Sequence, residues 1–150
     1  MKAFKNILFP IDLSEASEKL VETVQMVAEC FGARVHLLFV ARILDYFAGI
    51  YVPAASITSM EKSIMEGAEK KLYEFQERYF SDRESASAAV LPGDAAEEIL
   101  KFVSEKKIDL IIMGTHGRKG LDKIIFGSVA ERVVKASPVP VMVINPYKSN

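Results

Sequence analysis

At 150 residues the chain is sized for one core, and residues 1–150 are read as a single domain, since single cores organise roughly 100–200 residues before splitting. Half of the residues are hydrophobic and 26% are charged, which excludes an intrinsically disordered chain. Lys and Arg total 19 against 20 Asp and Glu, so a net charge of −1 leaves no electrostatic footprint for general DNA or RNA binding. Cys30 is the single cysteine; it excludes an intramolecular disulfide, reads as a buried core thiol and suits the reducing cytoplasm. The apolar run Ile7 to Ile11 is too short for a membrane span or a signal segment, so neither membrane nor export is expected.

The first strand covers Asn6 to Phe9 and stops at Pro10. Ser14 then offers an N-cap for a helix carrying Leu20, Val24, Val27 and Phe31 on one face, and Gly32 is placed to close it. Arg34 to Val40 is a second, strongly apolar strand. Between Ala41 and Ser59 the pattern is irregular but rich in apolar residues, with Tyr46, Phe47, Ile50, Tyr51 and Val52 forming a flap that can pack on the core, close over a ligand or meet a partner. Ile64, Ala68, Leu72, Phe75 and Tyr79 recur at helical spacing and predict a second helix ending near Ser81. Ser87 to Leu91 is a third strand, and Asp94 with Glu97 opens a third helix through Ile99, Leu100 and Val103 in the manner of a capping box. Asp109 to Met113 is apolar after its first residue, as a central parallel strand requires. A fourth helix from about Ser128 to Ala136 leads through Pro138 and Pro140 to a last strand, Val141 to Ile144. Five strands alternating with four helices predict an open, doubly wound α/β sheet with helices on both faces.

Chemistry is concentrated in the segment from Gly114 to Val129, where Gly114, Gly117, Gly127 and Ser128 make a G-x2-G-x9-G-S pattern. Glycines after a strand let backbone N–H groups approach a phosphate chain, and Gly127-Ser128 stands before a helix whose free N–H groups form an anion site. Pro10, Ile11 and Asp12 also follow a strand end, so the two loops can face one ligand at a sheet crevice. Neither a P-loop nor a dinucleotide-binding G-x-G-x-x-G is present. Asp12 and Ser128 are equally natural helix or turn caps. His116 and Arg118 lie within the glycine segment and can meet phosphate or simply face solvent, whereas His36 reads as a hydrogen-bonded structural residue.

With Pro10-x-Asp12, Gly93-Asp94 to Ile99, Asp109 to Gly117, Gly127-Ser128-Val129-Ala130 and Pro138 to Val141 in order, the chain resembles the ATP-binding branch of the universal stress protein family over essentially its whole length. The resemblance implies strand order 3-2-1-4-5, adenine near Val40 and ribose on Asp12. It also implies phosphates along Gly114, Gly117, Gly127, Ser128 and Val129, with Met113 leading into the segment, and pairing of last strands in a homodimer. An apolar edge of Val139, Val141 and Val143 agrees with that dimer.

The leading functional expectation is an ATP-dependent homodimeric sensor or switch in a stress response, with an unidentified protein partner and Mg or Mn as a companion of the phosphates. No catalytic residue is assigned, because no paired carboxylates or water-orienting base are evident. The alternatives are a slow Mg-dependent ATPase and an interaction protein in which the nucleotide is structural.

Overall fold

Short apolar segments separated by helices cannot hide their two faces alone, and here they pair into one parallel sheet. The computed structural model describes residues 3–43, 49–115 and 127–148. The strands are β1 (Asn6–Pro10), β2 (Arg34–Ala41), β3 (Ala86–Pro92), β4 (Leu110–Gly114) and β5 (Val141–Ile144). Their order is β3-β2-β1-β4-β5, with every neighbouring pair parallel. Between them run α1 (Glu15–Glu18), α2 (Val21–Phe31), α3 (Ala54–Tyr79), α4 (Ala95–Glu105) and α5 (Ser128–Ala136).

Side chains alternate across a strand, so each strand feeds two cores. Ile7, Phe9, Val35, Leu37, Leu110 and Ile112 meet α2 and α3 on one face. Leu8, Leu38, Ile111 and Met113 meet α4 and α5 on the other. This is the predicted doubly wound architecture. Leu8 pairs with His36, and His36 with Ser87, so the central register spans three strands.

Several local expectations change. The helix after Ser14 is two pieces: Ser14 caps α1 by accepting from the Ala16 N–H, and a turn at Lys19 and Leu20 precedes α2. Gly32 closes α2 in the left-handed region at φ 59°, as its placement foretold. Cys30 is exposed, not a core thiol, because α2 buries the face of Val21, Val24 and Val27. Phe31 is also exposed on much of its surface, at 44%, resting edge-on against Phe4. The second predicted helix begins earlier than its apolar face, at Ala54, so the end of the proposed flap is the first turns of α3. Within the flap, Ile50 and Tyr51 are 64% and 95% exposed and do not pack on the core; Tyr46 and Phe47 lie outside the described residues.

Candidate functional site

The chain crosses the sheet from β1 through β2 to β3 and then returns to place β4 on the far side of β1. Strand order therefore reverses between β1 and β4, which pair at Ile7↔Leu110 and Leu8↔Ile111. Loops leaving adjacent strands at such a switch point diverge to opposite faces and leave a crevice at the carboxyl ends. Here those ends are Pro10 and Gly114.

Beyond β1, the Ile11 N–H donates to the Leu38 carbonyl at 2.9 Å and the Ile11 side chain is buried in the α2/α3 core. Ile11 thus anchors the loop by its side chain and amide. The next residue carries the polar chemistry. Asp12 Oδ1 accepts from the Ser14 N–H at 3.0 Å, the Ser14 hydroxyl at 2.5 Å and the Ser17 hydroxyl at 2.7 Å. Ser17 also accepts the Asp12 N–H at 2.9 Å. Asp12 Oδ2 is buried with no hydrogen-bond partner among the described residues. Buried polar atoms are nearly always satisfied, so this oxygen is an acceptor whose partner is missing among the described residues. Leu13 between these groups has φ 61°, the left-handed region that a leucine rarely occupies.

On the β4 side, Thr115 is buried and its N–H donates to the Ile144 carbonyl at 2.9 Å. Its own carbonyl accepts the Gly127 N–H at 2.6 Å, which ties the start of α5 to the end of β4. Gly127, at φ −67° and ψ 155°, has a conformation open to any residue. Glycine gives room for a close approach, since a Cβ there would lie 3.0 Å from the Thr115 carbonyl oxygen, a tight contact that would press the two segments apart by a few tenths of an ångström. Its amide is spent on Thr115, so its part in an anion site is to bring the helix close. Gly127, not Ser128, is the N-cap of α5, and among the described residues no side chain caps that end; Ser128 is the first helical residue. The first helical turn has no intrahelical acceptor for its N–H groups, which leaves those of Ser128 and Val129 directed outward at the positive end of the helix.

Val40 is half-buried against the α4/α5 core and pairs with Leu91, while Met113 is buried in that core. Pro10 ends β1 opposite Leu38. Thus Asp12 and the start of α5 belong to loops from the two strands that flank the crevice, whereas Met113 is a core residue one position before the end of β4. His116, Gly117 and Arg118 lie outside the described residues.

Two further features escape sequence reasoning. Asp94 does cap α4, accepting the Glu97 N–H at 3.0 Å, but it also pairs with Arg132 of α5 at 2.9 Å. The Arg132 guanidinium, then the Glu97 N–H, hold its carboxyl below the usual range. The Ser14 and Ser17 clamp on Asp12 is visible in the D-x-S-x-x-S spacing once a turn is assumed. His36 is structural as expected: Nε2 meets Asn6 Oδ1 at 3.1 Å and Nδ1 meets the Ser87 hydroxyl at 2.9 Å. Burial, then Arg34 and Lys106, push its pKa down from 6.5.

Known proteins share this arrangement of sequence and fold. The model of the universal stress protein family matches residues 3–145. Universal stress protein MJ0531 of Methanocaldococcus jannaschii is 33% identical over 149 residues, covering 97% of this chain and 84% of that protein. Universal stress protein MJ0577 of the same organism is 29% identical over 153 residues, covering 94% of each. Its solved structure has a TM-score of 0.83 at 28% identity and 99% coverage of both chains. A universal stress protein from Archaeoglobus fulgidus in complex with dAMP shares the fold at a TM-score of 0.64 and 18% identity, covering 96% of this chain and 100% of that one. With the predicted strand order, the switch-point crevice and a family match spanning nearly every residue, the chain belongs to the universal stress protein family.

Proposed function

We propose that the chain binds ATP in the β1/β4 crevice and serves as a nucleotide-dependent homodimeric sensor or switch in a cytoplasmic stress response. The observation that carries this reading is the Asp12 carboxylate, with one oxygen saturated by Ser14 and Ser17 and the other buried without a partner. A ribose hydroxyl is a donor of the right kind for that oxygen. Leaving such an acceptor empty costs about 1–3 kcal/mol, which ligand binding would recover. The N–H groups of Ser128 and Val129 receive phosphate, helped by Gly114, Gly117, His116 and Arg118, and Val40 lies toward the adenine. The dAMP bound by the Archaeoglobus relative supports an adenine nucleotide as the ligand class.

Mg or Mn would accompany the phosphates; among the described residues there is no cluster of three or more His, Cys, Asp and Glu that could hold a metal ion. With Oδ1 committed to two serine hydroxyls, Asp12 serves as an acceptor, which favours binding over hydrolysis. No helix among the described residues is long and apolar enough to cross a membrane. For the dimer, β5 is a sheet edge with Met142 37% exposed. Its Pro140 and Ile144 carbonyls accept from Ile111 and Thr115, so the backbone of Val141 and Val143 faces outward, ready to pair.

The test is mass spectrometry of nucleotide released from freshly purified, denatured protein, followed by titration of wild type and Asp12→Asn with Mg-ATP. We expect ATP from the wild type and about 10–100-fold weaker binding by the variant, as for loss of hydrogen bonds to a charged acceptor. Equal affinities would remove Asp12 from the site.

A further inference from the structure

The opposite edge of the sheet, β3, is open over a defined window. The Val35 N–H donates to the Ser85 carbonyl and the Gly93 N–H to the Ala41 carbonyl, which sets the phase of the β2–β3 ladder. Backbone polar groups alternate sides along a strand, so those of Ala86, Ala88, Val90 and Pro92 point away from β2. Ala86 is closed: its N–H donates to the Asp82 carbonyl at 3.1 Å and its carbonyl accepts from Gln76 Nε2 at 3.2 Å. Pro92 brings no N–H. Among the described residues, Ala88 and Val90 are the ones that present a complete set of outward donors and acceptors with no partner. Natural edges of this kind are usually guarded by charge, proline or a bulge, and these two residues carry none.

Alongside the window runs a groove of about 380 Å³, lined by Glu69, Leu72, Tyr73 and Gln76 of α3 and by Ala88 and Val90. Leu72 is its buried floor. Tyr73, 50% exposed, is held as a wall, because its hydroxyl accepts from Arg83 at 2.6 Å and that guanidinium lies over its ring. Glu69 is exposed, makes no ion pair among the described residues, and is the only charged lining residue.

We infer that the β3 edge and this groove dock a short extended segment of another protein, which adds as an outer strand, packs an apolar side chain on Leu72 and Val90, and sets a basic residue against Glu69. Length and charge decide the occupant. A stable pairing of two folded copies needs roughly 800 Å² from each partner, and a ladder stopped at Ala86 and Pro92 is too short to seat one. A peptide strand needs only backbone pairing and pockets for alternate side chains, and the single Glu69 complements a Lys or Arg.

The probe is a synthetic peptide alternating Val and Thr around one Lys, with two versions N-methylated on alternate amides. Titrated into the full-length protein, the parent peptide should slow exchange of the Ala88 and Val90 amides. One N-methylated version should bind like the parent, and the other should lose about tenfold or more in affinity, because only one set of amides faces β3. Glu69→Lys, an exposed change that leaves the fold intact, should weaken the Lys peptide and favour its Glu counterpart. No binding up to about 1 mM, or equal binding of both N-methylated peptides, would overturn the inference. Protection of Ala88 and Val90 that rises with protein concentration in the absence of peptide would overturn it in favour of a second copy.

Discussion

α4 and α5 pack on the same face of the sheet and start at the same end of it, yet their first turns are finished in opposite ways. At α4, the Asp94 carboxylate already occupies the anion position, bonded to the Glu97 N–H and neutralised by Arg132. At α5, Gly127 has no side chain to offer, and no side-chain cap closes that end among the described residues. The first helix has supplied its own anion; the second has left room for one. Arg132 belongs to α5, so the open helix also reinforces the closed one. A capped terminus adds stability, and an uncapped one beside a switch point keeps an anion site available.

The contrast can be broken most severely at Gly127. Gly127→Val would press a side chain on the Thr115 carbonyl, costing about 1–3 kcal/mol of stability and abolishing nucleotide retention. Thermal unfolding and released-nucleotide analysis check both, and an unchanged protein still carrying ATP would show that the close approach is dispensable. Ser128→Asp would instead give α5 the kind of anion that α4 has. ATP affinity should fall about tenfold or more while folding stability rises by about 0.3–1 kcal/mol, a divergence that general damage cannot produce. Asp94→Ala opens the α4 end. It should cost about 1 kcal/mol, seen as a fall of about 2–4 °C in Tm, while ATP affinity changes less than about threefold. Because the Asp94 carboxyl is held low in the folded state, its contribution is complete above the usual carboxylate range and is lost as pH falls through the folded value, so wild type and variant should converge in acid.

The smallest effect belongs to His36, away from both helix starts. Its folded pKa lies below 6.5, so the unfolded chain takes up the proton first and stability declines as pH falls below about 6.5. Denaturant titrations of His36→Asn between neutral and mildly acidic pH should show a flatter dependence than wild type; an equally steep curve would place the titrating group elsewhere.

The fold was legible because burial on both faces leaves continuous apolar strands, as in Leu110 to Met113, and because Ser14, Gly32 and Asp94 mark helix ends by local chemistry. Less legible were features set by partners distant in sequence. The start of α3 at Ala54 carries no buried residue until Ala68, so its helical face left no apolar signature. Cys30 was misjudged because its neighbours share its hydrophobicity but not its side of α2. Ser128 looked like a cap by type, and only the Gly127–Thr115 bond shifts the helix start by one residue. Asp12 was legible as a polar residue just past a strand end, while its unpaired oxygen depends on where Ser14 and Ser17 turn.

Leu13 shows how that turn is kept. Its left-handed backbone is disfavoured by about 1–2 kcal/mol for a residue with a Cβ, yet its side chain is partly buried against the α2/α3 core. Hydrophobic contact therefore acts as the latch on a sprung loop, and Asp12 takes its working orientation only when the core beneath it has closed. On the proposed reading, a nucleotide that needs Asp12 would register the integrity of the protein's own interior through the same turn.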